Sequence, residues 1–279
     1  MSTKDQHELE NMKIVLCMRN DLPSNKCLNE MLPQLCEHDV YVVLSDIFLE
    51  SEKGTPSARD ARFYERDLVV DHFFPLLDKL DVDAPLRTFK KLEKDFENVE
   101  IRILGHINGN QAYEYLNSIN PDVIVSCRYD HIFTQRIIDI PQYGVINAHS
   151  GELPAYQGMH APFRMIMNGE ENVACTLHYV DTGIDTGDII DIAYVKVDKS
   201  KSLFWHKDRI YSVGIPLIVD FLNKTARQEA IVSTPQDSNK ATYYTLPPEE
   251  LFQEFVSRGY KIIDVTEYAD TLSQYGIPE

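Results

Sequence analysis

Residues 122–149 read DVIVSCRYDHIFTQRIIDIPQYGVINAH and contain two short apolar runs, at positions 122–127 and 143–149. Continuous apolar runs of this length are typical of strands buried on both faces, as in a parallel sheet. Polar residues follow each run, and in an open parallel sheet ligands bind at the carboxyl ends of the strands. This stretch therefore predicts the type of sheet and the edge at which a binding site lies.

Apolar runs and helical periodicity continue the same pattern along the chain. The other predicted strands are residues 13–18, 40–45, 99–104, 174–180 and 188–197. The predicted helices are residues 28–35, 63–80, 86–96, 110–119, 207–222 and 247–258. Strands that alternate with helices indicate βαβ units. We therefore predict an α/β fold with a doubly wound, mostly parallel, Rossmann-like sheet and a small C-terminal extension.

The remaining segments set the predicted organisation of the chain. Residues 1–11 are polar and are predicted to be a disordered tail, and residues 51–60 are rich in turn formers and charge, which is typical of a mobile loop. Residues 230–246 are predicted to be extended. The domain boundaries that follow are 1–11 for the tail, 12–198 for the α/β domain and 199–279 for the extension.

Composition excludes several classes of protein. The 279 residues carry a net charge of −17, which argues against a long surface that binds nucleic-acid phosphates. Five cysteines without a CxxC spacing argue against a disulfide framework or a zinc knuckle, and fit a reducing cytoplasm. The start of the chain is no signal peptide, and no apolar run is long enough to span a membrane. No histidine spacing points to a metal site.

Polar side chains at the end of the run 143–149 suggest chemistry. Asn147 and His149 are two residues apart, so both side chains can face the same side of a strand. An amide donor and an imidazole can stabilise an oxyanion and accept a proton. Asp185, in the loop DTGIDTGD at residues 181–188, could orient the imidazole or a water molecule. Each residue alone is more often structural.

A longer pattern surrounds these three residues. Asn147-x-His149 is followed by Leu-Pro at 153–154, by glycine at 158, by Thr-x-His-x-Val at 176–180, and by Asp-x-Gly-x-Ile-Ile at 185–190. This pattern resembles the formyltransferase family that uses N10-formyltetrahydrofolate. The resemblance is specific over residues 121–190 and loose over residues 13–120. Ser150-Gly151 replaces the Pro-Ser that the family often has, which leaves the three residues untouched.

The resemblance implies an N-formyltransferase whose catalytic domain is residues 12–198. By that resemblance Asn147 donates a hydrogen bond to the oxyanion, and His149 accepts the amine proton or stabilises charge. Asp185 keeps the imidazole oriented and relays protons. N10-formyltetrahydrofolate is the implied co-substrate, with no metal. The residues expected to hold it are Cys127, Arg128, Tyr129, His131, Ile132, Phe133, Asp181, Thr182, Gly183 and Gly187, although core packing is an equal explanation for Ile132 and Phe133.

Three subfamilies differ in the amine that they formylate. Purine-pathway enzymes have a Gly-x-Gly-Ser-Asn loop after the first strand, whereas residues 18–25 here read MRNDLPSN, without glycine. Initiator-tRNA formyltransferases have a basic C-terminal barrel, which a net charge of −17 argues against. The third subfamily formylates nucleotide-linked amino sugars in lipopolysaccharide and O-antigen synthesis. Its compact form and the Tyr-rich segment 241–247 make it the closest resemblance.

A sugar nucleotide is therefore the expected partner, bound by a cytoplasmic homodimer without nucleic acid or membrane. The residues expected to bind it are Arg19, Asn25, Gly158, His160, Arg164, Tyr243 and Tyr244. Alternatives stay open. The amine could be another small molecule, such as a siderophore amino acid. A deformylating hydrolase is a weaker alternative, because such chains carry an N-terminal regulatory domain. A folate or nucleotide sensor without catalysis would not need all three of Asn147, His149 and Asp185.

Overall fold

The computed structural model describes residues 10–276 of the chain. The predicted tail falls on residues 1–9, which lie outside the described residues, and on residues 10–11. Within the described range, no helix combines the length and the apolar character that crossing a membrane requires. The division of the chain at residue 198 stays a prediction.

A seven-stranded sheet forms the centre of the fold, with the strand order β3-β2-β1-β4-β5-β7-β8. The strands are β1 Lys13–Arg19, β2 Asp39–Ser45, β3 Val99–Ile103, β4 Val123–Cys127, β5 Val145–His149, β6 Gln157–Gly158, β7 Asn172–Tyr179, β8 Ile189–Lys196 and β9 Tyr243–Tyr244. Strands β1 to β5 pair in parallel, whereas β7 and β8 are antiparallel. Strands β6 and β9 form a separate two-stranded parallel pair. The prediction of a mostly parallel, doubly wound sheet is confirmed.

Helices cover the sheet and connect its strands. They are α1 Leu22–Met31, α2 Glu50–Lys53, α3 Pro56–Arg62, α4 Phe74–Leu80, α5 Phe89–Asp95, α6 Asn110–Ile119, α7 Gln135–Ile138, α8 Ala161–Met167, α9 Leu203–Ala226, α10 Glu249–Ser257 and α11 Val265–Ser273. Two π-helical segments, Phe63–Asp67 and Val69–Phe73, join α3 to α4. The longest helix, α9, packs against β7 and β8. Buried apolar side chains lie on both faces of the sheet, as a parallel sheet requires.

The segment 51–60 is not the loop that its composition suggested. It forms the end of α2 and the start of α3, and Pro56 occupies the first turn of α3, where its missing N–H costs nothing. A contact distant in sequence holds α3 in place, because the backbone N–H of Ser57 donates to Glu249 at 2.9 Å. Short helices of this kind depend on tertiary contacts rather than on periodicity. Helices α8 and α11 were not predicted either.

The order of the strands determines where a ligand can bind. The chain runs from β1 outward to β3 and then returns to β4 on the other side of β1, so the direction of winding reverses between β1 and β4. In open α/β sheets the crevice at such a point, outside the carboxyl ends of the strands, is the usual binding site. Arg19 ends β1 and Arg128 follows β4, so both lie at this crevice.

Candidate active site

A cavity of about 360 Å³ opens at the carboxyl ends of β1, β4 and β5. Its volume lies in the range of small-molecule sites, roughly 300–1,000 Å³. Asn147, His149 and Asp185 all line it. Three of the non-glycine residues with positive φ, Arg128, His160 and Asp185, also line it. Strained backbone of this kind is concentrated at functional sites.

Asp185 lies between the other two members of the trio. One carboxylate oxygen, Oδ2, is 3.6 Å from Nδ1 of His149, and the other, Oδ1, is 3.4 Å from Nδ2 of Asn147. Oδ2 also accepts a hydrogen bond from the backbone N–H of Gly158 at 2.8 Å. His149 is buried, and Asn147 at the end of the same strand is half-buried. The three residues that the sequence singled out therefore meet at one point of the cavity wall.

His178 fixes the orientation of the Asn147 amide. Nδ1 of His178 lies 2.7 Å from the carbonyl oxygen of Tyr179, so that ring nitrogen carries the proton. Nε2 is then the acceptor, and Nδ2 of Asn147 donates to it at 3.1 Å. The second N–H of Asn147 makes only a long contact, 3.4 Å, with Oδ1 of Asp185, so it can also donate to a ligand oxygen placed there. The only sequence signal for His178 was its place in the Thr-x-His-x-Val motif.

The surroundings of His149 and Asp185 determine their charges. Nε2 of His149 lies 2.7 Å from the carbonyl oxygen of Tyr156, so it carries a proton and donates, which leaves Nδ1 facing Asp185. Burial alone raises the pKa of the Asp185 carboxyl, but His149, His178 and the N–H of Gly158 lower it well below its ordinary value. Asp185 is therefore a stable carboxylate beside an imidazole that donates from both nitrogens when it is protonated.

Gln236, in the C-terminal part of the chain, holds the loop that carries Asp185. Its Nε2 donates to the carbonyl oxygens of Asp185 at 2.9 Å and Gly187 at 2.7 Å. Gln157 donates to the same carbonyl of Asp185 at 3.1 Å. Asp185 has a left-handed backbone with φ of 55°, and such a conformation persists only where neighbouring contacts impose it. Sequence reasoning did not identify Gln236, because it is 51 residues from Asp185.

We expect Gln236→Ala to lower kcat about tenfold while KM for the folate stays unchanged. The change removes two hydrogen bonds, each worth about 0.5–1.5 kcal/mol, and about 1.4 kcal/mol corresponds to tenfold in rate. Asn239→Ala is the matched control, because Asn239 is exposed in the same segment. Steady-state kinetics and a thermal melt check both variants. An unchanged kcat for Gln236→Ala would show that the loop keeps its geometry unaided.

Gly158 links Asp185 to the short strand β9, because its N–H donates to the Asp185 carboxylate and it pairs with Tyr244. It has φ of +90°, and a Cβ at this position would lie 2.3 Å from the carbonyl oxygen of Tyr244. Gly169 has a similar φ of +80°, but a Cβ there would meet nothing within 4 Å. Both glycines therefore need a left-handed backbone, but only at Gly158 would a side chain clash with a neighbouring atom.

We expect Gly158→Ala to destabilise the protein more than Gly169→Ala. Both changes incur about 1–2 kcal/mol for a left-handed alanine, and only Gly158→Ala adds about 1–3 kcal/mol of overpacking against β9. Denaturant unfolding of the two variants measures the difference. Equal free energies of unfolding would mean that the β6–β9 pairing contributes nothing.

Most of the residues expected to hold the folate line the cavity. The cavity lining includes Arg128, Tyr129, His131, Ile132, Phe133, Asp181 and Gly183. Cys127, Thr182 and Gly187 do not line it; Cys127 is buried, and a Cβ on Gly187 would lie 1.9 Å from the carbonyl oxygen of Tyr179. The hydroxyl of Tyr129 and Nε2 of His131 are buried without a hydrogen-bond partner among the described residues. Buried polar atoms of this kind are what the polar edge of a pterin would satisfy.

The residues expected to bind the acceptor divide into two groups. Arg19, Gly158, His160 and Tyr243 line the cavity. Asn25, Arg164 and Tyr244 do not. The correction for Asn25 has a simple cause: the Ser-Asn pair belongs to the buried face of α1, where Asn25 Oδ1 accepts from Tyr275 at 2.5 Å.

Arg164 and Tyr244 contact each other rather than the cavity. The guanidinium of Arg164 lies 5.3 Å from the centre of the Tyr244 ring. That ring stacks on Tyr156 with 5.6 Å between the ring centres. Both side chains therefore pack β9 against Tyr156 and α8, which is the packing role that tyrosine clusters usually have.

Arg19 and Arg128 belong to a network of charged side chains at the inner end of the cavity, whose other members the sequence did not single out. Arg19 pairs with Asp130 at 3.1 Å, and Arg128 pairs with Asp21 at 2.6 Å and with Glu65 at 3.1 Å. Lys207, on α9, pairs with Glu65, which lies in a π-helical segment. Burial would raise the pKa of Glu65, but Lys207 and Arg128 lower it to about 2. Burial, and then Lys207, lower the pKa of His160 to about 3, which keeps that imidazole neutral.

Potential metal ligands do not cluster among the residues that the structure describes. Among residues 10–276, no group of three or more His, Cys, Asp or Glu side chains is placed to hold a metal ion.

Comparison with known protein families finds one that matches part of this chain. Residues 93–221 match the family described as Formyl transferase. The match covers a little under half of the chain. It includes α6, β4, β5 and all three of Asn147, His149 and Asp185. The resemblance drawn from residues 121–190 is supported over these matched residues.

The relatives and the structural neighbours carry the names of formyltransferases with different acceptors. A methionyl-tRNA formyltransferase from Caldicellulosiruptor saccharolyticus is 33% identical over 138 residues, which are 49% of this chain and 43% of the relative. The chain spans about half the length of the curated relatives it matches.

Two solved structures share the fold. Glycinamide ribonucleotide transformylase 1 from Symbiobacterium toebii has a TM-score of 0.57 and 15% identity, over 84% of this chain and 96% of that one. An N-formyltransferase from Helicobacter canadensis, solved with folinic acid and dTDP-3-aminofucose, has a TM-score of 0.53 and 18% identity, over 84% of this chain and 70% of that one. At these identities the likeness concerns the fold alone.

Proposed function

We propose that the protein transfers a formyl group from N10-formyltetrahydrofolate to the primary amine of a small molecule. The observation that carries the proposal is the meeting of Asn147, His149 and Asp185 at the crevice between β1 and β4. A carboxylate that lies 3.6 Å from an imidazole and 3.4 Å from an amide donor brings together the groups that acyl transfer to nitrogen requires. A sensor of folate would not need them together.

Asn147 stabilises the negative charge that develops on the formyl oxygen. Its amide is oriented by His178, so one N–H is fixed and the other points toward the space next to Asp185. A donor held in advance costs no reorganisation when the charge forms.

His149 and Asp185 transfer the proton that the amine must lose. The amine forms a bond to the formyl carbon, the bond from that carbon to N10 breaks, and one proton passes from the amine to N10. Asp185, charged and next to Nδ1 of His149, can accept the proton, share it with Nδ1 and release it from that side to N10. Nε2 of His149 stays bonded to the Tyr156 carbonyl, so the ring keeps its orientation during the transfer.

The folate supplies the activated formyl group when it is bound. Tyr129 and His131 would satisfy its polar edge with their unpartnered atoms, and Ile132 and Ile184, which are exposed at the mouth of the cavity, would cover its apolar part. Asp181 shapes the opposite wall, because its carboxylate accepts from the N–H of Gly183 at 2.9 Å and the hydroxyl of Thr186 at 2.6 Å.

Two classes of acceptor fit this proposal. A nucleotide-linked amino sugar, as in O-antigen synthesis, is supported by Tyr243, whose exposed ring lines the cavity and could stack on a base. A small amine outside sugar metabolism is supported by the carboxylates at the inner end of the cavity.

Release of tetrahydrofolate in the presence of different amines tests the proposal. The panel contains nucleotide-linked amino sugars, simple amines and methionyl-tRNA. We expect release that depends on a small amine. Release with methionyl-tRNA alone would overturn the choice of acceptor, and release without any amine would indicate a hydrolase.

A further inference from the structure

A recess of about 40 Å³ lies behind the inner end of the main cavity. The two spaces share four lining residues, Arg19, Glu52, His160 and Lys207. A recess of this volume admits a group the size of a water molecule or an ammonium ion, for which roughly 10–15 Å³ is the lower limit. Because the two spaces adjoin at these shared residues, a ligand in the main cavity can place one small polar group in the recess.

Glu52 has a buried carboxylate oxygen there that makes one ion-pair contact but has no hydrogen-bond donor. Its side chain lines both spaces and the residue is only 6% exposed. Its Oε2 accepts no hydrogen bond from any of the residues 10–276, and the nearest cation, Nη2 of Arg19, is 3.5 Å away. A buried carboxylate oxygen without a donor is costly, so a donor from a ligand is the expected remedy.

The neighbouring charges add up to an excess of acids. Four carboxylates, Asp21, Glu52, Glu65 and Asp130, face three cations, Arg19, Arg128 and Lys207. The other two cations of the recess, Arg62 and Arg66, face carboxylates of their own on Asp46 and Asp67. Burial raises the pKa of Asp130, Arg19 and the hydrogen bond from Ser45 oppose that rise, and the charges of Asp21 and Glu52 add to it. One more cation would balance this excess of carboxylates.

We infer that the acceptor carries a second, positively charged nitrogen, which enters the recess and donates to Glu52. This inference rests on the proposed function for the first amine, which stays at Asn147, His149 and Asp185. The class of acceptor is a diamine or a basic amino acid, rather than an amine whose anchoring group is a diphosphate.

Two amines of equal length test the inference with the full chain: 1,4-diaminobutane and butylamine. We expect kcat/KM to favour the diamine at least about tenfold, the effect of one hydrogen bond between charged groups. Glu52→Gln, which keeps the shape, should lower the diamine-to-monoamine ratio about tenfold, and Asp130→Asn should lower it as well. Glu50→Gln, on the same helix but exposed, should leave the ratio unchanged.

Binding of the diamine without folate separates this inference from the proposed function. We expect calorimetry to detect 1,4-diaminobutane on the wild-type protein and to detect weaker binding on Glu52→Gln, with thermal melts verifying that both are folded. Binding of this kind without turnover would support the recess and overturn the formyl transfer. Turnover of an amino-sugar nucleotide, with neither diamine binding nor diamine preference, would overturn the recess and support the transfer.

Discussion

His149→Ala is expected to lower kcat/KM for formyl transfer by about 10²–10⁴, the usual contribution of a positioned proton-transfer group. The imidazole is buried, fixed through Nε2 on the carbonyl of Tyr156, and faces the Asp185 carboxylate through Nδ1. Its removal leaves Asp185 without the charge that lowers its pKa and interrupts the path of the proton. Rates of tetrahydrofolate release with a saturating amine measure the loss.

His72→Ala is the matched control for that variant. His72 is exposed in the π-helical segment Val69–Phe73, away from the residues that line the cavity, so its loss should leave the rate unchanged. Thermal melts of both variants show whether the fold is kept. A His149→Ala protein that is folded and works at nearly the wild-type rate would contradict the proposed mechanism.

Asp185→Asn should have an effect of the same order, about 10²–10⁴ in kcat/KM. Asparagine tolerates the left-handed backbone of this position and can still accept from the N–H of Gly158. The substitution therefore removes the charge and keeps the shape. Because its pKa is lowered, the wild-type carboxylate is charged at any pH above about 4.

The control for Asp185→Asn is Asp191→Asn, which makes the same change of charge at an exposed position on β8. We expect kinetics indistinguishable from wild type for the control, and a loss at all pH values for Asp185→Asn. Recovery of the Asp185→Asn rate at high pH would mean that the carboxylate acts only through the charge of the imidazole. Such recovery would show that the Asp185 carboxylate does not itself accept the proton.

The sheet and the trio could be predicted from the sequence, because both depend on local patterns. Strands such as β1 and β4 have continuous apolar runs, Ile14–Met18 and Val123–Val125, since both of their faces are buried. Asn147, His149 and Asp185 stand in short motifs with fixed spacing. Their position at a strand end already indicated the edge of the sheet at which they meet.

The inner end of the cavity could not be predicted in the same way. Glu65 and Lys207 are 142 residues apart, and neither stands in a motif. Glu52 belongs to a segment whose composition suggested a loop, and contacts distant in sequence, such as Ser57 with Glu249, hold the helix that follows it. Asn25 was instead assigned to the site because of the Ser-Asn pair at residues 24–25, and that pair lies on the buried face of α1. Such groups are placed by tertiary packing, of which a single sequence carries no record.

The most direct test of formyl transfer follows an isotopic label from the folate. N10-formyltetrahydrofolate labelled with ¹³C at the formyl carbon is incubated with the wild-type protein and the amine panel, and mass spectrometry locates the label. We predict one labelled formamide for each tetrahydrofolate released, and almost none with Asn147→Ala. Label that remains on the folate, or that appears as formate whatever amine is present, would contradict the proposed transfer.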